Sequence, residues 1–370
     1  MLDETEIRRA DQAVAESRMV SGAAALSGLD EHWAEQSAIG LDTEFVRERT
    51  FYPRPGLVQV SEGREIWLLD PVALPEIPAL GKLLENPNCI KILHSVGEDM
   101  EVFRILTGTV PDPLFDTQIA AAMLGYPLQY RYEQLVGETL GVELAGGKAR
   151  SNWCKRPLTR DLLTYAAQDV IWLPRLQALL AERLEQAGRL DWLEEDCARL
   201  VENARSESSA PALGRVKGAG RLSDPALAIL EGLAEWRDEM ARKRDLPRSF
   251  VIRDDDLLRL AESATRGDLD RALRALPDPV RRRYRDAFTD RIEAGGRTDF
   301  ARPPELTQLT PEQRDRIRLI QQAVGKLAAE LDVEPALIAS KRELTRIIRG
   351  ERPPWLDGWR GPLVSKLLES

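Results

Sequence analysis

Short apolar runs alternate with helical periodicity from residue 37 to about residue 190, and this pattern predicts an α/β domain. Four apolar runs predict strands at 38–46, 57–60, 66–69 and 91–94. The first three follow one another closely, with turn-forming residues at 61–63, so we expect an antiparallel meander. Apolar residues at three- and four-residue spacing predict helices at 97–106, 116–124, 132–140 and 159–186. Pro174 is expected to kink or divide the last of these helices.

Almost every segment beyond residue 221 shows helical periodicity, and strands are not expected there. Helices are predicted at 224–244, 254–264, 268–276, 280–294, 311–331, 335–339 and 341–349. Residues 202–221 are rich in Ser, Ala, Gly and Pro without a clear period, which is typical of a linker. The predicted organisation is an N-terminal extension at 1–17, an α/β domain at 18–201, the linker, and two all-α bundles at 222–296 and 297–370.

Composition agrees with a folded chain whose two halves differ in charge. Of the 370 residues, 43% are hydrophobic and 31% charged, so there is enough apolar material for several cores. The net charge of −9 argues against a protein that coats nucleic acid by bulk positive charge. Residues 1–200 carry 20 basic and 32 acidic side chains, a balance of −12, whereas residues 201–370 carry 32 and 29, a balance of +3. This division suggests two separate tasks.

Several classes of protein are disfavoured by what the sequence contains. The first residues alternate charges instead of forming an apolar signal peptide, and no run approaches the roughly 20 apolar residues that span a bilayer. Cys89, Cys154 and Cys197 are far apart, so neither a disulfide framework nor a cysteine zinc site is expected. With only His32 and His94, a histidine-rich metal site is also disfavoured. We expect a cytoplasmic protein without a membrane partner, and a monomer by default.

Two carboxylates share one face of the first predicted strand. Asp42 and Glu44 are two residues apart, so they point together while Leu41, Thr43 and Phe45 face the other way. Neighbouring carboxylates repel each other, and a divalent cation such as Mg²⁺ or Mn²⁺ compensates them well. The alternative is a solvent-facing edge strand, because an Asp-x-Glu pair is common in so acidic a chain.

Three further polar residues stand where a site could form. Tyr165 and Asp169 are four residues apart on a predicted helix, so the phenol and the carboxylate share one face. Asp99 follows the strand that ends at His94 and lies in the first turn of a helix. These residues also have ordinary explanations. Tyr165 and Asp169 could be a half-buried tyrosine beside a solvated aspartate, and Asp99 could be an acid that the helix dipole favours.

Taken together, these residues resemble the DEDD family of 3′–5′ exonucleases, in its tyrosine subclass. The ordered set is Asp42, Glu44, Asp99, Tyr165 and Asp169. Its surroundings match as well, namely the runs at 42–45, 49–53, 57–60, 97–103, 115–118, 150–153 and 165–169. Residues 20–215 resemble the ribonuclease D family in particular, although Asn152 replaces an expected aspartate. Residues 233–248 resemble an HRDC module, and 300–370 look like a second, more divergent copy.

The resemblance implies a fold and a reaction. The fold would be an RNase H-like (DnaQ-like) exonuclease domain with a mixed five-stranded sheet, followed by two all-α HRDC-like bundles. The reaction would remove nucleoside 5′-monophosphates from RNA 3′ ends with two divalent cations, Mg²⁺ or Mn²⁺. Asp42, Glu44, Asp99 and Asp169 would hold the cations, and Tyr165 would position the attacking water.

Candidate substrate contacts are Thr43, Phe45, His94, Lys148 and Arg150. Phe45 would stack beside the terminal base, and the basic side chains of Lys148 and Arg150 would contact the RNA backbone. These contacts have ordinary alternatives. His94 could be a partly buried histidine whose hydrogen bonds are made within the protein, and the basic segment with Lys148 and Arg150 could be a solvated surface.

The expected partner is RNA with a 3′ extension, above all transfer RNA precursors and other small structured RNAs. One alternative is a single-strand DNA 3′–5′ exonuclease, since the sequence does not reveal how the pocket meets the 2′-OH. Another is a non-catalytic nucleic-acid-binding scaffold, which the complete set of five site residues disfavours. The arginines at 281–283 and 285 would hold RNA, or else a protein partner.

Overall fold

A six-stranded mixed sheet organises the first half of the chain in the computed structural model, which describes residues 2–206, 211–295 and 300–369. Its order is β1-β4-β3-β2-β5-β6, so β2 is a central strand with β3 on one side and β5 on the other. The strands are β1 (Arg18–Val20), β2 (Ala38–Val46), β3 (Arg54–Ser61), β4 (Ile66–Leu69), β5 (Ile90–Leu93) and β6 (Leu114–Asp116).

The predicted meander is confirmed, and the expected number of strands is wrong. β2, β3 and β4 pair antiparallel, whereas β1, β5 and β6 pair parallel with their neighbours. The sheet therefore has six strands instead of five. β1 and β6 are only three residues long. Segments of that length are too short to show the alternation by which a strand is recognised.

Ten helices of the described residues cover the sheet and its edges. They are α1 (Glu4–Ala15), α2 (Ala23–Leu26), α3 (Leu29–Ala34), α4 (Pro78–Glu85), α5 (Asp99–Thr107), α6 (Thr117–Met123), α7 (Tyr132–Leu140), α8 (Arg160–Ile171), α9 (Leu173–Gln186) and α10 (Leu190–Arg205). Pro174 divides the long predicted helix, because it stands in the first turn of α9, where its missing N–H costs no hydrogen bond. α8 packs on β2, β3 and β4 through Ala166, Ala167 and Val170, all fully buried.

Two helical groups follow, and their predicted helices are present with small shifts at the ends. The first group comprises α11 (Asp224–Arg244), α12 (Arg248–Val251), α13 (Asp254–Thr265), α14 (Leu269–Ala275) and α15 (Asp278–Ala294). The second comprises α16 (Pro311–Glu330), α17 (Pro335–Ile338), α18 (Lys341–Ile348) and α19 (Arg360–Glu369). No strand occurs in the described parts of 211–369. The predicted boundary at 296/297 and its turn at Gly296 lie outside the described residues.

The predicted linker at 202–221 is structured wherever it is described. Its first residues continue α10 to Arg205, and residues 207–210 lie outside the described chain. Leu213, Val216 and Ala219 are buried in the core of the first helical group. A flexible spacer is therefore the wrong description of residues 211–221, because their apolar side chains join a core.

The second helical group also packs against the α/β domain. Asp196 of α10 accepts two hydrogen bonds from Arg360 of α19, at 2.6 and 2.7 Å. Trp192 and Trp359 stack face to face with ring centroids 4.3 Å apart. These contacts hold the second helical group against α10 of the α/β domain. Among the described residues, no helix is both long and apolar enough to cross a membrane.

Candidate active site

Three elements bring the sequence-predicted site residues to one pocket. β2 carries Asp42 and Glu44 in the middle of the sheet, Asp99 is the first residue of α5, and α8 presents Tyr165 and Asp169. The pocket has a volume of about 510 Å³, and all five residues line it. The structure thus gathers residues that are up to 127 positions apart in sequence.

The carboxylates lie close enough to share ligands. One oxygen each of Asp42, Glu44 and Asp169 can be chosen so that all three lie within 4.8 Å of one another. Asp99 joins them through Thr43, whose hydroxyl donates a hydrogen bond to the Asp99 carboxylate. The pocket is lined by six acidic side chains in all, and none of the described residues that line it is a lysine or an arginine. Its negative charge is therefore not compensated by the protein.

Burial and mutual repulsion raise the pKa of every carboxyl group in the cluster. Burial, with the charges of Asp99, Asp169 and Glu44, raises the pKa of Asp42 well above its usual range. Burial followed by repulsion from Asp169 and Asp99 raises the pKa of Glu44 to about 9. Burial also raises the pKa of Asp99 and that of Asp169 to about 7. Without a cation, this site favours protons on its carboxyl groups.

These donors fit divalent metal ions, which the DnaQ-like exonuclease fold implies. Hard cations such as Mg²⁺ and Mn²⁺ prefer carboxylate oxygens, and the pocket supplies several that no basic side chain neutralises. A bound cation would favour the ionised carboxylates and so reverse the pKa shifts. The fit rests on this donor chemistry and on the distances between the oxygens.

Tyr165 stands beside the carboxylates with its hydroxyl protonated. Burial, and then the charges of Asp169, Glu44 and Asp42, raise its pKa above the usual value. Its ring centroid lies 6.1 Å from that of fully buried Trp153. The phenol is therefore a neutral donor in an acidic pocket.

Two positioning residues were not among the sequence candidates. Gln59 of β3 lies directly opposite Asp42 in the sheet and donates from Nε2 to its Oδ2 at 3.2 Å. Asp116 accepts hydrogen bonds from the backbone N–H groups of Ser95 and Val96, at 3.1 and 2.9 Å, and so holds the loop that leads to Asp99. Gln59 could have been found, because it is the one polar residue in an otherwise apolar run of β3. Asp116 gave no comparable signal.

The predicted substrate contacts have different surroundings. Phe45 is half-buried and lines the pocket, and Thr43 is buried with its hydroxyl on Asp99. Lys148 and Arg150 are exposed on the loop before α8, where Ala149 between them also lines the pocket. Thr43 is thus a positioning residue, whereas the other three remain predicted substrate contacts.

His94 has both ring nitrogens occupied by the protein. Nδ1 lies 2.9 Å from the Thr117 hydroxyl, and Nε2 lies 2.9 Å from the backbone carbonyl of Tyr130. Burial lowers its pKa, so the neutral ring is favoured. This arrangement supports the alternative of a satisfied, partly buried histidine over a direct substrate contact.

The fold and the acidic pocket together define a 3′–5′ exonuclease of the DnaQ-like class, joined to an HRDC domain. A family model described as "3'-5' exonuclease" matches residues 17–185. A second model, described as "HRDC domain", matches residues 226–292. These matches cover the α/β domain and the first helical group.

Relatives that match nearly the whole chain identify the family. Ribonuclease D of Shewanella sp. is 37% identical over 360 residues, which covers 94% of this chain and 92% of the relative. Ribonuclease D of Pseudomonas paraeruginosa is 38% identical over 359 residues, covering 93% and 94%. The crystal structure of Escherichia coli RNase D, an exoribonuclease involved in structured RNA processing, superposes with a TM-score of 0.85 at 30% identity, covering 96% of this chain and 99% of that one. The chain belongs to the ribonuclease D family.

Proposed function

We propose that this protein is a 3′–5′ exoribonuclease that releases nucleoside 5′-monophosphates from RNA 3′ ends with two divalent ions, Mg²⁺ or Mn²⁺. The observation that carries the proposal is the group formed by Asp42, Glu44 and Asp169: one oxygen of each lies within 4.8 Å of the others, in a pocket whose described lining contains no lysine or arginine. Membership of the ribonuclease D family, over more than nine tenths of the chain, supports RNA as the substrate.

Each site residue has a role that its surroundings support. Asp42, Glu44, Asp99 and Asp169 would hold the divalent ions, which when bound lower the pKa of water and compensate the charge that develops at the scissile phosphate. Gln59 and Thr43 keep two of these carboxylates in place through the hydrogen bonds that they donate. Asp42 and Asp99 are therefore already oriented before a substrate binds.

Tyr165 would orient the attacking water. Its phenol stays protonated because burial and the neighbouring carboxylates raise its pKa, so it can donate a hydrogen bond at neutral pH. Phe45, half-buried in the pocket wall, would stack on the terminal base. Lys148 and Arg150 would contact the backbone from the loop before α8.

The biological substrates that we propose are transfer RNA precursors and other small structured RNAs with a 3′ extension. The similarity to Escherichia coli RNase D, an enzyme of structured RNA processing, supports this choice. We further propose that the protein acts as a monomer in the cytoplasm. The three free cysteines, two of them buried, are compatible with a reducing compartment.

The test is degradation of a 3′-extended RNA in the presence of Mg²⁺. We expect mononucleotides with 5′-phosphates to accumulate, and excess EDTA to stop their release. Asp42→Asn should lower the rate about a thousandfold. The variant loses a carboxylate that holds the metal ions, and with it several kcal/mol of transition-state stabilisation. Asp161→Asn, which removes one charge from the exposed surface of α8, is the matched control and should keep the wild-type rate.

Two results would contradict the proposal. If Asp42→Asn degrades the RNA at the wild-type rate, the carboxylates take no part in the reaction. A DNA oligonucleotide of the same sequence that is degraded faster than the RNA would favour the single-strand DNA exonuclease instead.

A further inference from the structure

A second cleft lies where the loop after β2 meets the first helical group, and we call it the junction cleft. Its volume is about 680 Å³. Three acidic residues line it, Glu48, Asp254 and Asp255, against twice as many basic ones. The basic residues are Arg47, Arg215, Lys217, Arg237, Arg248 and Arg253. The walls therefore carry an excess of three positive charges, whereas the carboxylate pocket has no basic lining residue.

The loop after β2 is anchored in the helical group, so the junction cleft has a fixed shape. Phe51 is buried in the core of that group. The backbone N–H groups of Phe51 and Tyr52 donate to the carboxylate of Asp245, at 2.9 and 3.0 Å. The guanidinium groups of Arg242 and Arg248 lie 5.3 and 4.9 Å from the centre of the Phe51 ring. Both domains thus build one site.

Part of the positive charge in the junction cleft has no partner in the protein. Arg215 and Arg248 share the single carboxylate of Asp238, so only one of their two positive charges is compensated by it. The side chains of Lys217 and Arg253 are exposed and have no hydrogen bond or ion pair within the described chain. Arg237 is 2% exposed and forms an ion pair with Asp254 at 2.5 Å, while its Nε–H is buried without a partner. The uncompensated charge of the cleft therefore lies mainly on Lys217 and Arg253.

Shared lining residues connect the carboxylate pocket, a groove beside α5 and the junction cleft in series. Gly97 lines both the carboxylate pocket and the groove beside α5. The groove in turn shares Arg47, Phe51 and Arg248 with the junction cleft. An extended polyanion could therefore occupy all three. In the same short helix as Arg248, the ring of Phe250 is 58% exposed, as suits a platform for an unpaired base.

We propose that the junction cleft binds the backbone phosphates of the RNA strand upstream of the 3′ end that occupies the carboxylate pocket. The proposal rests on the proposed function for the identity of the polyanion. Single-stranded nucleic acid binds to grooves that combine positive charge with exposed aromatic rings. The junction cleft supplies the charge, and exposed Phe250 belongs to the same short helix as the lining residues Arg248 and Ser249. RNAs long enough to reach the cleft gain affinity from it, whereas a dinucleotide ends before it.

The experiment compares two substrates in the Lys217→Ala/Arg253→Ala double variant. For a single-stranded RNA of 20 nucleotides, we expect kcat/KM to fall about tenfold, because each phosphate contact contributes roughly threefold at moderate salt. The slope of log Kd against log salt should decrease by about 1.4, since each contact to single-stranded RNA contributes about 0.7. The kcat/KM for a dinucleotide should stay within twofold of the wild-type value.

The control removes the same two charges elsewhere. Lys341→Ala/Arg342→Ala changes exposed residues of α18, outside the junction cleft. We expect this control to match the wild type on both substrates. Thermal unfolding of both double variants establishes that they are folded.

The outcomes separate this proposal from the proposed function. If the wild type degrades neither RNA, the proposed function fails, and the salt slope of RNA binding still tests the junction cleft. If the wild type degrades both and the cleft variant keeps the same kcat/KM and salt slope on the long RNA, the cleft proposal fails. It fails equally if the dinucleotide loses as much activity as the long RNA, or if the α18 control loses as much as the cleft variant.

Discussion

Two sets of buried carboxylates in this protein have different surroundings, and the contrast separates structure from chemistry. Asp70, Asp196 and Asp238 are only 3%, 4% and 7% exposed, and each accepts hydrogen bonds from arginine. Glu44 and Asp99 are just as buried, at 7% and 8%, yet among the described residues no lysine or arginine lines their pocket. Burial alone therefore does not distinguish the two groups, whereas the presence of an arginine does.

The pKa values follow the same division. Burial by itself would raise the pKa of Asp238 and that of Asp70, but arginine hydrogen bonds and charges bring both below the usual value. In the pocket, burial and repulsion act together and raise the pKa of Asp42 and its neighbours. A folded protein keeps such uncompensated acids when a cation from solution completes the site. We therefore expect metal-dependent chemistry at the unpaired group, whereas the paired group holds elements of the chain together.

Breaking the paired group should have the largest effect on stability. Asp196→Asn leaves the buried guanidinium of Arg360 with weakened compensation, which we expect to cost about 3–5 kcal/mol of unfolding free energy. Urea unfolding followed by tryptophan fluorescence measures this cost, because Trp192 and Trp359 stack beside the ion pair. Glu194→Gln removes an exposed charge from the same helix and should change the free energy by less than about 0.5 kcal/mol.

The matching substitution in the pocket tests the comparison directly. Asp169→Asn removes one of several repelling carboxylates, so in EDTA the protein should be as stable as the wild type or more stable. A loss as large as that of Asp196→Asn would mean that the pocket carboxylates also hold the fold together, and the division would not stand.

The unpaired group was largely predictable from the sequence, and the paired group was not. Asp42 and Glu44, like Tyr165 and Asp169, are related by spacing within one strand or one helix, and local geometry puts each pair on one face. Asp99 followed from the family resemblance. The ion pairs, by contrast, join residues 86 positions apart for Asp70 and Arg156, and 164 for Asp196 and Arg360. Such partners depend on tertiary packing, which no local pattern encodes.

The same reasoning explains the errors in the fold. Long periodic segments such as α11 were predicted with their observed ends, because apolar positions that repeat every three to four residues over many turns fit only a helix. β1 spans three residues and gains its pairing only from β4, about fifty positions later. The range 202–221 has a linker composition, yet Leu213 and Val216 find a core that distant helices build. Short segments take their structure from their neighbours in space.

Removing the neutral donor of the unpaired group should have the next largest effect. Tyr165→Phe keeps the ring beside Trp153 and removes only the hydroxyl, so kcat should fall about a hundredfold while RNA affinity is unchanged. Single-turnover degradation measures the first quantity, and RNA binding in EDTA measures the second. Tyr130→Phe, whose hydroxyl bonds to Glu138 outside the pocket, is the control and should retain the wild-type kcat. Lost binding with normal turnover would instead make Tyr165 a substrate anchor.

The smallest expected effect is the response of stability to pH without metal. Asp99 and Asp169 have pKa values of about 7 in the folded protein and Glu44 about 9, against about 4 for unfolded carboxyls. Between these limits the folded state binds more protons, so stability is lost as pH rises through the folded values, and Tm in EDTA should fall by several degrees between pH 6 and pH 9. Mg²⁺ should reduce this fall, because it favours the ionised carboxylates. Asp169→Asn should reduce it in EDTA as well, and parallel curves for the variant and the wild type would show that the pocket does not hold these protons.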